Sequence, residues 1–193
     1  MQIYAIADLH LSLTSEKPMD VFGEAWRGHA EKLERNWRER VQDDDLVLIP
    51  GDISWAMQLS AALPDLSFIG NLPGKKILLK GNHDYWWSAI GRVRSLLPAG
   101  MRAIQNDAIV EGGIGICGTR GWLCPGSNNF SAEDQKIYLR ELDRLSLSLR
   151  ALPEVTTKIA MLHFPPFLDR DRGSGFTERL EEAGVDIVVY GHL

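Results

Sequence analysis

Acidic and imidazole side chains stand in five short groups: Asp8-Leu9-His10, Gly51-Asp52, Gly81-Asn82-His83-Asp84, His163 and Gly191-His192. Carboxylate, imidazole and amide oxygen are donors that hold divalent cations, so each group is a candidate ligand set. Taken singly, most are weak signals. A D-x-H triplet arises by chance in roughly one chain of this length in four, Gly-Asp commonly ends a strand in a turn, and a lone histidine is more often a satisfied core residue than a ligand. Gly81-Asn82-His83-Asp84 differs, because that run arises by chance in about one such chain in a thousand. Four of the five histidines lie in these groups; the fifth, His29, sits on a helical face beside Trp26 and Leu33 and reads as a packing or surface residue.

Each group directly follows an apolar run rich in branched residues, at 3–7, 46–49, 77–79, 159–162 and 187–190, with a sixth run at 114–117. Such runs read as buried strands, and open α/β sheets place ligand sites just beyond strand ends. Trp26, Ala30, Leu33, Trp37 and Val41 share one face at a helical period, which predicts a helix covering a sheet. A second helix carries Leu142, Leu145, Leu149 and Leu152, begun by Ser131 with Asp134 three residues on and stopped by Pro153. Residues 56–70 also look helical, but Pro64 predicts a break into two short pieces. Between 102 and 119, Asn106, Asp107, Gly112 and Gly113 predict antiparallel hairpins and hence a mixed sheet. The alternation implies one layered α/β domain over residues 1–193, without repeats or linkers.

Composition agrees with a globular chain: 193 residues, 45% hydrophobic and 24% charged. A net charge of -5 argues against affinity built on neutralising many backbone phosphates, so nucleic acid is disfavoured as a partner. The first ten residues lack a signal-peptide pattern and no apolar run approaches a membrane span, which gives a cytoplasmic expectation with no membrane partner. Cys117 and Cys124, seven residues apart, fit neither a C-x-x-C pair nor a disulfide framework and read as reduced structural thiols.

At the five groups the sequence resembles the calcineurin-like metallophosphoesterase superfamily, whose blocks run D-x-H, G-D, G-N-H-D/E, H and G-H-x-H in this order. The flanking Gly51-Asp52-Ile53-Ser54-Trp55-Ala56-Met57 and Asn82-His83-Asp84-Tyr85-Trp86-Trp87 are similar to a bacterial branch of predicted phosphohydrolases. The resemblance implies a layered α/β/β/α sandwich with mixed sheets. It also implies two metals: Asp8, His10 and Asp52 on one, and Asp52, Asn82, His163 and His192 on the other, with Asp52 shared. A hydroxide bridging two cations about 3.5–4 Å apart would attack a phosphoester in line. His83 is implied as the catalytic group facing the leaving oxygen, and Asp84 as the carboxylate that orients its imidazole. Nitrogen and oxygen donors favour manganese, iron, cobalt or zinc over magnesium.

The family's last block carries a second histidine two residues after His192, whereas the sequence ends at Leu193. The expectation is a chain truncated before its last strands, with an uncovered sheet edge and a weakly held first metal. Arg120 in Thr119-Arg120-Gly121-Trp122 is a candidate substrate-binding phosphate clamp. Trp55, Tyr85, Trp86, Trp87, Trp122, Phe164 and Phe167 are candidates for a pocket around an organic leaving group, with core packing as the commoner use. The function expected is metal-dependent hydrolysis of a phosphomonoester or diester on a small molecule. The alternatives are a catalytically silent interaction module of the same fold, and a phosphatase or nuclease acting on a macromolecule.

Overall fold

A computed structural model describes residues 1–14, 17, 19–168 and 172–192. The chain divides into two compact units, Met1–Leu78 with Asn82–Ala103, and Leu79–Gly81 with Ile104–Leu193. Five α-helices and two four-stranded sheets are present among the described residues, an α/β architecture.

The first unit is built on β1 (Ile3–Ala5), β2 (Leu46–Pro50), β3 (Lys75–Leu79) and β4 (Met101–Ala103), in that spatial order, with α1 (His29–Arg40), α2 (Leu59–Gly70) and α3 (Ile90–Leu96) in the connections. β1 runs parallel to β2, pairing Ile3 with Leu46 and Ala5 with Leu48. Parallel neighbours need long crossovers, and α1 occupies this one. All five residues of β2 are buried, as a near-continuous apolar run predicts for a strand covered on both faces. Trp37 and Val41 at the end of α1, Leu66 and Ile69 of α2, Val47 and Ile49 of β2 and Trp86 belong to one core cluster.

Two expectations need correction here. Pro64 does not divide its helix: α2 is continuous from Leu59 to Gly70. The proline removes the bond to the Ser60 carbonyl, but both residues lie on the exposed side where water can satisfy that group. Burial of Leu59, Ala62, Leu66 and Ile69 holds the opposite face. The segment from 102 onward, in turn, does not open with a hairpin. β4 runs parallel to β3, pairing Lys76 with Met101, because α3 supplies a crossover. The Arg94 guanidinium then ties α3 to β4 through two bonds to the Ala103 carbonyl, 2.7 and 3.0 Å.

The second unit carries β5 (Ile109–Glu111), β6 (Ile114–Thr119), β7 (Thr157–Leu162) and β8 (Ile187–Tyr190), again in sequential order. Here the expected hairpin appears: β5 and β6 are antiparallel across Gly112-Gly113, both at positive φ, the chemistry of a two-residue turn. β6, β7 and β8 are parallel, so this sheet is mixed. α4 (Ala132–Arg150) begins with a reciprocal capping box: the Asp134 N–H donates to Ser131 Oγ at 3.2 Å and the Ser131 N–H to Asp134 Oδ2 at 2.9 Å. The Ser131 hydrogen bonds hold the Asp134 carboxyl below the usual carboxylate range. α5 (Gly175–Glu182) lies in the β7–β8 connection, and its Phe176 and Leu180 share a core cluster with Leu142 and Leu145 of α4.

Both cysteines are free and buried in this second core. Burial pushes the Cys117 thiol up to about 12 and also raises that of Cys124. Since the thiolate is the reactive form, iodoacetamide at a pH of about 8 is expected to label neither in the native protein and both after unfolding. Native labelling at the rate of a free thiol, read by intact mass, contradicts this packing.

Candidate metal centre

In the first unit, backbone hydrogen bonds zip together the loops that follow β1 and β2. The Asp8 N–H donates to the Gly51 carbonyl (3.1 Å), His10 to Asp52 (2.9 Å), Leu11 to Ile53 (3.0 Å), and Trp55 back to Leu11 (2.9 Å). Asp8, His10 and Asp52 all adopt left-handed backbone conformations, with φ of 58°, 45° and 54°. Such conformations cost free energy in non-glycine residues and gather where side chains are aimed for function. The result converges Asp8, His10 and Asp52: one ligand atom from each lies within 4.8 Å of the others. His10 Nε2 stands 3.9 Å from Asp8 Oδ1 and 3.8 Å from Asp52 Oδ2. Those separations are too long for hydrogen bonds. They suit two metal–ligand bonds of about 2.0–2.2 Å opening at a wide angle from a common cation. The Asp52 side chain is 1% exposed, and a buried carboxylate of this kind wants a cation.

The third loop carries half-buried Asn82 and His83 and fully buried Asp84. It meets the second loop through carboxylates acting in both directions. The His83 N–H donates to Asp52 Oδ1 at 2.8 Å, while Asp84 accepts from the N–H groups of Asp52 (2.9 Å), Ile53 (2.8 Å) and Ser54 (3.2 Å) and from the Trp86 indole (2.9 Å). Through these bonds the Asp84 carboxylate fixes the loop that bears Asp52. None of these bonds comes from the His83 imidazole, whose buried Nδ1 has no hydrogen-bond partner among the described residues. A further support lies behind the loop, where Asp65 accepts from the Leu13 N–H at 3.0 Å and from the Ser54 hydroxyl. Burial pushes the Asp65 carboxyl above its ordinary value, and these two bonds oppose the rise.

The aromatic residues separate clearly. Trp86 and Trp87 are core, at 1% and 5% exposure, and Tyr85 is exposed. Trp55 is half-buried, stacked on His10 with ring centroids 4.8 Å apart and 4.7 Å from His83. Its spacing in the sequence marks it as near the motifs, but nothing there reveals that it touches two of them.

In the second unit, the loops after β7 and β8 bring His163 and His192 together, with ring centroids 5.0 Å apart. His163 is fully buried, whereas His192 is exposed and, like Asp8, His10 and Asp52, has positive φ (58°). The Gly191 N–H donates to the His163 carbonyl (3.1 Å), and the Arg120 carbonyl accepts from the N–H groups of His163 (3.0 Å) and Phe164 (2.9 Å). The guanidinium of Arg120 is committed as well, to Glu141 at 3.3 Å and over the Trp122 ring at 4.6 Å. Glu141 is itself buried and also holds Thr119 and Arg144. Desolvation lowers the Arg120 pKa and the Glu141 charge raises it, and arginine stays charged throughout. These contacts let Arg120 brace the His163 loop. Leu193, the last residue of the final motif block, lies outside the described residues.

His29 sits apart at the start of α1, edge-on to Trp26 at 5.7 Å, in keeping with a packing role.

The carboxylate and imidazole donors of Asp8, His10 and Asp52, carried by positive-φ loops that follow parallel strands, form a group that could hold a metal ion. The sequence model of calcineurin-like phosphoesterases matches residues 1–193, and the chain belongs to that family, a class that hydrolyses phosphoesters. No curated protein matches it in sequence. Among solved structures it is similar to the phosphopantetheinyl hydrolase of Mycobacterium tuberculosis, at 16% identity and a TM-score of 0.57, covering 99% of this chain and 82% of that one. A protein of unknown function from Aquifex aeolicus is 16% identical with a TM-score of 0.48, over 96% of this chain and 87% of the other. No helix among the described residues is long and apolar enough to cross a membrane.

Proposed function

We propose that residues 1–193 serve as one metallophosphoesterase domain that hydrolyses a phosphorylated small molecule with the aid of two metal ions. The observation that carries this reading is the convergence of Asp8, His10 and Asp52 beside the His83 loop. In this reading Asp8, His10 and Asp52 hold one cation, and Asp52, Asn82, His163 and His192 hold the other. The mixed nitrogen and oxygen donors suit manganese, iron, zinc or cobalt. Bound cations would supply Lewis-acid charge to the phosphoryl oxygens and a water acidic enough to attack near neutral pH.

The chain's own residues do the rest. Asp52 brings a buried negative charge whose position is fixed from both sides, by the His83 N–H on its side chain and by Asp84 on its backbone. Fixed placement of charge before the reaction avoids reorganisation during it. The His83 imidazole delivers a proton to the leaving oxygen. Tyr85, exposed and edge-on to His83 at 6.1 Å, is placed to meet the leaving group. The resemblance of fold to an enzyme named for hydrolysing a phosphopantetheinyl group supports a phosphorylated small-molecule substrate.

A panel of aryl and alkyl phosphomonoesters and phosphodiesters, assayed with added manganese, tests this reading. Turnover of at least one class is expected. No turnover of any ester by the metal-loaded protein contradicts it and favours a silent module.

A further inference from the structure

We infer that Trp55 is the positioning residue that holds the His83 imidazole for proton transfer to the leaving group. This rests on the phosphohydrolase reading above and deepens it. A general acid must keep its N–H within hydrogen-bond reach of one oxygen, and a misplacement of about 1 Å costs up to about 10²-fold in rate. Histidines in such roles are usually held by a carboxylate or carbonyl on the second ring nitrogen. Here that device is absent among the described residues. Asp84 spends its carboxylate on three backbone N–H groups and the Trp86 indole, and His83 Nδ1 is buried with no hydrogen-bond partner.

What surrounds the imidazole is a set of rings, of which Trp55 is the nearest. Its centroid lies 4.7 Å away, against 5.8 Å for His10 and 6.1 Å for Tyr85. Tyr85 is 54% exposed and cannot act as a fixed wall. Trp55 can, because it is held at four points. Its backbone N–H bonds to the Leu11 carbonyl at 2.9 Å and its indole N–H to Met19 Sδ at 3.1 Å. Its ring stacks on His10 at an interplanar angle of 21°, and the Lys17 ammonium sits over it at 5.0 Å. Stacking and cation–π contacts of this kind favour one ring geometry over its alternatives. With these neighbours in place, Trp55 orients the acid and is not a platform for the substrate.

The test compares Trp55→Leu and Trp55→Phe with the wild type at saturating manganese, on phenyl phosphate and 4-nitrophenyl phosphate. Nitrophenolate departs without help from an acid, whereas phenolate needs the proton. Trp55→Leu is expected to lower kcat about 10–10²-fold on phenyl phosphate with KM nearly unchanged, and to affect 4-nitrophenyl phosphate little. Trp55→Phe is expected to restore most of the loss, since a ring is retained. If Trp55→Leu does not fold, Trp55→Met, which fills the space without a ring, is read in the same way. Equal losses on the two esters, or none on either, overturn the assignment of Trp55 while the phosphohydrolase reading stands. If the wild type turns over only diesters, the phenyl and 4-nitrophenyl diesters are compared in the same way, and a wild type inactive on every ester of the panel would instead refute that reading and Trp55 with it.

Discussion

Asp52→Asn is expected to strip the chain of its cations, lowering metal affinity by more than about 100-fold, beyond what losing a supporting residue behind a ligand costs. The geometry explains why so small a change does so much. Asp52 Oδ1 accepts the His83 N–H at 2.8 Å, and Oδ2 faces His10 Nε2 at 3.8 Å. An asparagine can satisfy the first with its carbonyl only by turning its NH2 toward the position proposed for the cations. The site then loses a buried charge and gains a donor where an acceptor is needed. Metal content after dialysis, measured by elemental analysis together with turnover, reads the effect. Wild-type metal content in the variant would contradict the place given to Asp52.

His83→Ala is expected to lower turnover about 10²–10⁴-fold, the range for losing a general acid, while the metals remain. The substitution is unusually clean. The bond from residue 83 to Asp52 comes from the backbone N–H, which alanine keeps, and Asp84 bonds to residues 52–54 and Trp86 without using the imidazole. A fall in rate with metal content preserved therefore reports on the ring itself. Full activity in this variant would refute the catalytic role, and loss of metal would move His83 into the ligand set.

The strand ends were legible because ligand-bearing residues sit directly after apolar runs, and β8 falls on the predicted residues 187–190. The start of α4 was equally clear, since a capping box is a local pattern read from Ser131 and Asp134 alone. Pro64 misled because its cost depends on which way the residue faces. That direction is set by the packing of Ala62, Leu66 and Ile69 into the first core, which leaves Pro64 on the solvent side.

β4 misled for a related reason: a three-residue strand takes its partner from the crossover before it, here α3, and not from its own composition. The partners of Asp84 and Trp55 were out of reach altogether. Asp84 meets residues about thirty positions away, and Trp55 reaches both His10 and His83, contacts that exist only once the loops after β1, β2 and β3 are in register. Residue type only weakly announces the left-handed backbone at Asp8, His10, Asp52 and His192: aspartate and histidine are enriched there, but most of them adopt ordinary conformations and glycine is the stronger signal.

The most direct test of a two-metal phosphoesterase is a titration of manganese into the chelator-treated protein while hydrolysis of a phosphate ester is followed. No turnover is expected without metal, followed by a rise that continues past one equivalent per chain and, the first metal being the more weakly held, levels off only with manganese in excess. Turnover that survives metal removal, or that levels off at one equivalent, would contradict the two-metal centre.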